Sequence, residues 1–356
     1  MLSTDVKIFD STSPVAERMR SYGALTQKLT ILVLGTGERR ALDLSENVHV
    51  LFPGGNTKSD AFKNALWEGM REGRELETNL VTTQDPFFVG FVGWRIAHAL
   101  KAPLQVQIHT DFLNTFYAFS SVRRFGEVCL SLFILSQASC IRVVSKRIAR
   151  SLSWLGKKPV FILPIRVESH DSSHERPQEY GTHPIVLMVS RMESEKRINL
   201  AIQALARISD AHLYIIGDGS SRTTLEELAQ NLSLSERVHF LGWKKDTHAY
   251  YQHADVFLHL SRFEGYGLSL IEAGLASLPI VTTDVGVVGE VYNRGDDVLV
   301  VSKKVSHIAE TLTAVLQSQE LRTQLTNNAH MKAVGQLQTK SEYYNAYKAS
   351  FEQCAK

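Results

Sequence analysis

The sequence predicts an α/β chain of two tandem domains, each a parallel sheet covered by helices. Three observations carry this. Short β-rich apolar runs alternate with stretches of helical spacing almost throughout, which is the βαβ rhythm of a buried parallel sheet. The rhythm stops once, at a polar segment near the middle. And 356 residues is long for one hydrophobic core but comfortable for two.

The first series has apolar runs at 29–34, 49–53, 80–84, 104–109, 140–145 and 159–164, with helical patterns at 60–72, 88–100 and 113–138. The segment 167–183, VESHDSSHERPQEYGTH, has no apolar periodicity and reads as an interdomain linker. A second series follows at 185–190, 212–217, 238–242, 256–261, 279–283 and 298–301, with helical patterns at 197–208, 221–232, 269–277 and 304–317. The expected domains are therefore 1–166 and 184–335. Tandem sheets of this kind imply a cleft, and ligands of open parallel sheets bind beyond the carboxyl ends of the strands.

Composition narrows the class. An apolar fraction of 44% with 21% charged residues is that of a soluble globular protein. Cys129, Cys140 and Cys354 lack metal-ligand spacing, and an odd set of three suits structural thiols in a reducing compartment. The N-terminus MLSTDVKIFD lacks the basic and apolar regions of a signal peptide, and no run reaches the length of about 18 apolar residues that a spanning helix needs. The expected location is the cytoplasm. Charge is uneven: residues 1–166 carry 21 Lys and Arg against 14 Asp and Glu, a balance of +7, which leaves 18 against 23, or −5, for the rest. Within 123–158 the bases Arg123, Arg124, Arg142, Lys146, Arg147, Arg150, Lys157 and Lys158 face only Glu127. Such a stretch is either a solvated helix face or a surface for an anionic partner.

Residues just after the strands of the second series carry the chemistry. They are Arg191 and Lys196; Asp218, Gly219 and Arg222; Trp243; Arg262, Glu264, Gly265 and Gly267; then Asp284 and Gly286. In EGYGLSLIEA, the glycines allow a tight turn close to a ligand, and a helix starting near Leu268 or Ser269 offers unpaired N–H groups to an anion such as a diphosphate. Arg191 and Lys196 could supply cations for that diphosphate without a metal. Glu272, one turn into the helix, suits sugar hydroxyls better than phosphate, and Glu264 could reach another part of the same ligand. Solvated carboxylates on an ordinary loop-to-helix turn are the alternative. There is no G-x-x-x-x-G-K-[ST] or G-x-G-x-x-G, and Asp296-Asp297 reads as a surface turn, not a metal pair. His109 stands at the carboxyl end of a first-series strand, where a histidine is either structural or functional.

Taken in order, RMESEKR (191–197), IIGDGSSR (215–222), VHFLGW (238–243) and SRFEGYGLSLIEAGLASLPIVTTDVGVVGEVY (261–292) resemble the nucleotide-sugar domain of group 1 retaining glycosyltransferases, including their E-x7-E pair. TTQDPFFVGFVGWRIA (82–97), LQVQIHTDF (104–112) and ILPIRVE (162–168) resemble the first domain more loosely, and SEYYNAYKASFEQ (341–353) resembles a terminal helix that returns to it. The resemblance implies a GT-B fold, two Rossmann-like domains facing across a cleft, with 336–356 packing back on the first. It implies that Arg191 and Lys196 grip the donor diphosphate, Glu272 the ribose, and Glu264 the transferred sugar. Gly265, Tyr266 and Gly267 would shape the turn, and the backbone of Leu268 and Ser269 would hold phosphate. Gly217, Asp218, Gly219, Arg222, Leu241, Gly242 and Trp243 would border the base, and His109 would lie beside the sugar. One departure stands out: the loop at 10–23 has Pro14, Val15 and Ala16 where many members carry a glycine pair.

The implied reaction moves a hexose from a nucleoside-diphosphate sugar to a hydroxyl of a lipid-linked or polysaccharide acceptor, with retention and with no metal or other cofactor. Leaving-group stabilisation is then the main task. A carboxylate nucleophile of the glycosidase kind is not expected, and Glu264 is not assigned that role. The basic, aromatic-rich stretch 116–158 suits an anionic membrane surface, and no nucleic-acid module is recognisable. An epimerase-like GT-B enzyme and a non-catalytic partner subunit are the other readings.

Overall fold

In the computed structural model, which describes residues 1–168 and 174–356, the apolar runs form two sheets. The linker reading at 167–183 falls partly on 169–173, outside the described residues. The chain divides into one unit of Met1–Pro164 with Thr339–Lys356 and a second of Ile165–Gln338.

The first sheet comprises β1 (Leu2–Ser3), β2 (Leu29–Val33), β3 (Arg40–Ser45), β4 (Val48–Phe52), β5 (Val81–Thr83), β6 (Leu104–Ile108), β7 (Cys140–Val143) and β8 (Val160–Ile162), in the order β3-β4-β2-β1-β5-β6-β7-β8. All pairs are parallel except the edge hairpin β3–β4. That hairpin corrects the expectation of purely parallel sheets. RALDLS alternates polar and apolar residues, as an edge strand with one wet face does, and so has no apolar run to announce it.

Helices α1 (Pro14–Gly23), α2 (Lys58–Glu75), α3 (Phe88–Leu100), α4 (Thr115–Ala118), α5 (Val122–Gln137) and α6 (Lys146–Ser151) complete this part of the chain. The stretch 10–23, expected as a loop, is helical from Pro14, because Ser13 caps Ala16 N–H and proline suits the first helical position. The helical pattern 113–138 is two helices, since Ser121 starts a new cap at Arg124 N–H.

The second sheet comprises β9 (Ile185–Val189), β10 (His212–Ile216), β11 (Val238–Gly242), β12 (Val256–His259), β13 (Ile280–Thr282) and β14 (Leu299–Val300), all parallel, in the order β11-β10-β9-β12-β13-β14. Its helices are α7 (Ile198–Leu205), α8 (Arg222–Asn231), α9 (His248–His253), α10 (Leu268–Leu275), α11 (Val305–Gln317) and α12 (Gln319–Val334). The core is aliphatic, built from Met188, Ile202, Ile215, Leu258, Val281, Ile308 and their neighbours. Asp296-Asp297 is a turn as expected, but Asp297 is buried and accepts Asn293 N–H at 2.7 Å.

Last comes α13 (Lys340–Cys354), opened by a Thr339–Glu342 capping box. Tyr343, Tyr347 and Phe351 pack among Ile8, Met19, Tyr22, Ile31 and Leu163 of the first unit. Beneath the helix runs a polar seam. Arg142, 2% exposed, donates to Gln107 Oε1 at 2.7 Å and to Tyr343 Oη at 3.3 Å, with its guanidinium 4.6 Å from the Tyr347 ring centre. Gln107 donates in turn to Tyr347 Oη at 2.8 Å. Arg142 thus leaves the expected basic surface: a seam of uncharged acceptors and an aromatic face hold it inside.

Cys140 and Cys354 form a disulfide between β7 and α13, and only Cys129 is a free, exposed thiol. The expectation of three free thiols is corrected, and the inference of a reducing compartment falls with it. A separation of 214 residues hides the pairing from the sequence. Alkylation of the chain unfolded without reductant should label Cys129 alone, whereas prior reduction should expose all three thiols and cost the N-terminal unit about 2–4 kcal/mol in a denaturant titration. Labelling of all three without reductant would refute the bridge.

Candidate functional site

Parallel strands place all their carboxyl ends on one edge of the second sheet, and the loops leaving that edge carry the expected residues. After β9 the chain turns through Arg191 into a short 3-10 turn, Ser194–Lys196. Lys196 Nζ donates to Glu264 Oε1 on the loop after β12. The two side chains are only 12% and 16% exposed. Ser261 Oγ donates to the same oxygen at 2.7 Å. His259 Nε2 lies 3.1 Å from it, at ion-pair distance but without the alignment of a hydrogen bond.

Burial alone would raise the Glu264 pKa. His259 and Lys196 outweigh burial and hold the carboxyl far below its ordinary 4.5. Glu264 is therefore an anion at every working pH, a hydrogen-bond acceptor and a poor proton carrier. His259 and Ser261 were not foreseen, because each reads as an ordinary residue in the strand VFLHLS.

The turn beyond Glu264 reaches α10 through Gly267, whose φ of 89° lies in the left-handed region that suits glycine. No side chain caps α10. Its opening N–H groups precede any intrahelical acceptor and carry the positive end of the helix dipole. Gly265 and Tyr266 are buried; the Tyr266 carbonyl accepts Val287 N–H at 2.9 Å. The Tyr266 ring is buried, and its hydroxyl has no hydrogen-bond partner among the described residues. Glu272, on the second turn of α10, accepts from Tyr251 Oη at 2.9 Å. Burial, then Glu272 itself, pushes the Tyr251 pKa well up and keeps that hydroxyl a donor.

A second wall is built from backbone. Met192 N–H donates to Asp218 O at 2.9 Å and Gly217 N–H to Gly242 O at 2.9 Å, so the loops after β9, β10 and β11 are stitched together. At Gly217 a Cβ would fall 2.0 Å from Ser190 O, so only glycine permits that approach. Gly219 N–H turns back to Asp218 Oδ1. Arg222 is held by Glu226 at 2.8 Å and by Phe240 O at 3.4 Å. Leu241 and Gly242 are half-buried, while the Trp243 indole beside them is 73% exposed.

The structure thus joins Lys196 to Glu264 directly. It places Arg191, 70% exposed and 3.3 Å from Glu195, on the loop that carries Lys196. Asp284 is instead engaged by Arg294 at 2.9 and 3.0 Å. His109 belongs to the other unit, directly after β6. Its Nε2 is sealed and has no hydrogen-bond partner among the described residues. Burial, then repulsion from Arg142 and Arg18, lowers its pKa to about 3, so the ring is neutral.

This edge gathers cations, the open helix N–H groups and carboxylates, a set able to hold an anion. Residues 169–332 match the family of group 1 glycosyl transferases. The C-terminal unit is a group 1 glycosyltransferase domain. The chain is 27% identical over 244 residues to the lipopolysaccharide core biosynthesis glycosyltransferase LpsE of Rhizobium meliloti, covering 66% of this chain and 69% of that one. Its fold is GT-B: it superposes on sucrose-phosphate synthase from Thermosynechococcus elongatus with a TM-score of 0.81 at 18% identity, over 99% of this chain and 98% of the other. For HepE of Anabaena, solved with UDP and glucose, the TM-score is 0.76 at 16% identity, over 99% and 98%.

The Lys196–Glu264 pair makes a stability prediction for the glycosyltransferase domain. Glu264→Gln leaves Lys196 buried without its counter-charge and should cost about 3 kcal/mol at pH 7, and adding Lys196→Met should restore much of that. Because the folded-state pKa is depressed, the wild-type advantage is complete above about pH 5. It should shrink as pH falls below the unfolded value of 4.5 towards the folded one. Denaturant titrations from pH 7 to 3 test both points; a gap that does not change with pH would remove the charge from the account.

Proposed function

We propose that the chain transfers a hexose from a nucleoside-diphosphate sugar to a hydroxyl of a lipid-linked or polysaccharide acceptor, retaining the anomeric configuration and using no metal ion. The observation that carries this reading is the buried Lys196–Glu264 pair set beside an uncapped helix entrance. A departing diphosphate gains negative charge as the anomeric bond breaks. Lys196, the exposed Arg191 and the α10 N–H groups supply the compensating field in a poorly hydrated place, where it acts most strongly. That set does for a diphosphate what a divalent ion does elsewhere.

Glu264 fits the sugar side. Its charge is committed to Lys196, and its depressed pKa makes it a weak base and a weak nucleophile. It can hold sugar hydroxyls without taking their protons. This favours a front-face route, in which the leaving phosphate assists deprotonation of the acceptor. Glu272, oriented by Tyr251, fits the ribose. UDP is the first base to test, since HepE was solved with it.

For the acceptor, the likeness to LpsE supports a glycan class, and α4–α5 supports a place on the surface of an anionic membrane. Phe116, Phe119, Val122 and Phe125 are exposed there, two of them stacked at 5.9 Å, beside Arg123 and Arg124. Apolar tips among bases are the chemistry of an interfacial anchor. No helix among the described residues is long and apolar enough to cross a membrane.

Melting temperatures measured with UDP-, GDP- and ADP-linked hexoses should rise for one nucleotide class, equally with and without EDTA. NMR of the product should show the donor's anomeric configuration, and Lys196→Ala should lower kcat about 10²–10³-fold. An inverted product, or a donor shift abolished by chelator, would overturn the mechanism. Independently, the chain should sediment with phosphatidylglycerol vesicles at low salt, and Phe119→Ser with Phe125→Ser should release it. Equal sedimentation of that variant would move the membrane surface elsewhere.

A further inference from the structure

The amino ends of β9, β10 and β11 carry a second cluster, at the opposite ends of the strands from the donor loops. His183 precedes β9 by two residues, His212 opens β10 and His239 is the second residue of β11. Register pairs Ile185 with His212 and Tyr214 with His239. Side chains alternate along a strand, so the three imidazoles share one face of three adjacent strands. They are half-buried. Ring centres lie 3.2 Å apart for His183–His212 and 5.3 Å for His212–His239.

The nitrogens lie close together. His212 Nδ1 lies 3.0 Å from His239 Nε2, and one ring nitrogen from each of the three histidines lies within 4.8 Å of the other two. His183 Nε2 also lies 3.0 Å from Tyr214 Oη. Flat side chains on one sheet face stack whatever their chemistry, so packing accounts for the stack. Hydrogen bonds join His212 to His239 and His183 to Tyr214, but neither requires a nitrogen of the third imidazole to lie within 4.8 Å of the other two. Burial, and then the neighbouring rings, lower His212 to about 4, and burial lowers His183 and His239 too. All three are therefore in the neutral form that binds metals.

We propose that His183, His212 and His239 bind a single divalent transition ion, completed by water. Three neutral nitrogen donors suit Zn(II), Ni(II) or Cu(II), and not the oxygen-seeking Mg(II) or Ca(II). Tetrahedral ligands at about 2.0 Å stand about 3.3 Å apart; the 3.0 Å between His212 Nδ1 and His239 Nε2 is already near that spacing, and nitrogens as far apart as 4.8 Å would have to draw in. The rings, now within 14° of parallel, must also turn out of their stack to aim their lone pairs at the ion. The ion would tie together the starts of the three strands whose far ends lead to Arg191 and Lys196, to Gly217–Arg222 and to Trp243. It would stiffen the scaffold and take no part in group transfer.

Calorimetry with ZnCl2 and NiCl2 tests this on the full chain, prepared without a polyhistidine tag and stripped with EDTA. One ion per chain should bind with a micromolar or lower Kd and raise the melting temperature. His212→Gln, and separately His183→Gln with His239→Gln, should weaken binding at least tenfold while keeping the melting temperature of the metal-free wild type. No one-to-one isotherm on the wild-type chain overturns the proposal without recourse to any variant. So does unchanged affinity in a folded variant, which would place the ion on other histidines. The readout is binding and stability, so it stands whatever the transfer assays return.

Discussion

The candidate site depends on one ion pair. Lys196 follows β9 and Glu264 follows β12, 68 residues later, yet the two strands are neighbours in the sheet. The order β11-β10-β9-β12-β13 changes direction between β9 and β12, since the chain builds outward one way and then returns to build the other. Loops on either side of such a switch point diverge and leave a crevice between them, where ligands of open sheets bind. The pair spans that crevice. Burying two charges is expensive, and here Ser261 and His259 share the cost by facing the same carboxylate oxygen. A site so tightly prepaired needs little reorganisation to receive a ligand.

The division of labour around the pair follows from backbone geometry. Gly267 delivers the chain into α10 with its first N–H groups uncapped, so the positive end of the helix is left for a ligand. Glu272 comes one turn further on, and its bond from Tyr251 fixes a carboxylate beyond the anionic region. Across the crevice, Gly217 lets one strand end press against Ser190 O and bring the loops of β9 and β10 into contact. Positive charge therefore gathers at the turn, and acceptors lie on both sides of it.

Much of this was legible because the strands of a buried parallel sheet are bare apolar runs. IVLMVS and HLYIIG are hard to read otherwise, and residues after such runs lie on one edge whatever the loops do. What escaped did so for physical reasons. The edge strand RALDLS is half wet, and α12, QELRTQLTNNAHMKAV, spreads its polar residues around the helix, so neither shows a clear pattern. Arg142 sits among bases in sequence and among tyrosines and glutamines in space. The bond from Cys140 to Cys354 and the meeting of His183, His212 and His239 at the starts of three neighbouring strands are products of topology, and no local spacing encodes them.

Arg142 also ties fold to chemistry in the N-terminal unit. A buried guanidinium without a carboxylate partner among the described residues is unusual, and here Gln107, Tyr343 and the Tyr347 ring stabilise it, two of these from α13. Its field lowers the proton affinity of His109, which follows the strand that carries Gln107. Docking of the last helix thus does two things at once. It closes the core with Tyr347 and Phe351, and it holds in place a charge that adds to burial in keeping His109 neutral. Burial and that charge together make His109 a neutral imidazole, and its Nε2 has no hydrogen-bond partner among the described residues.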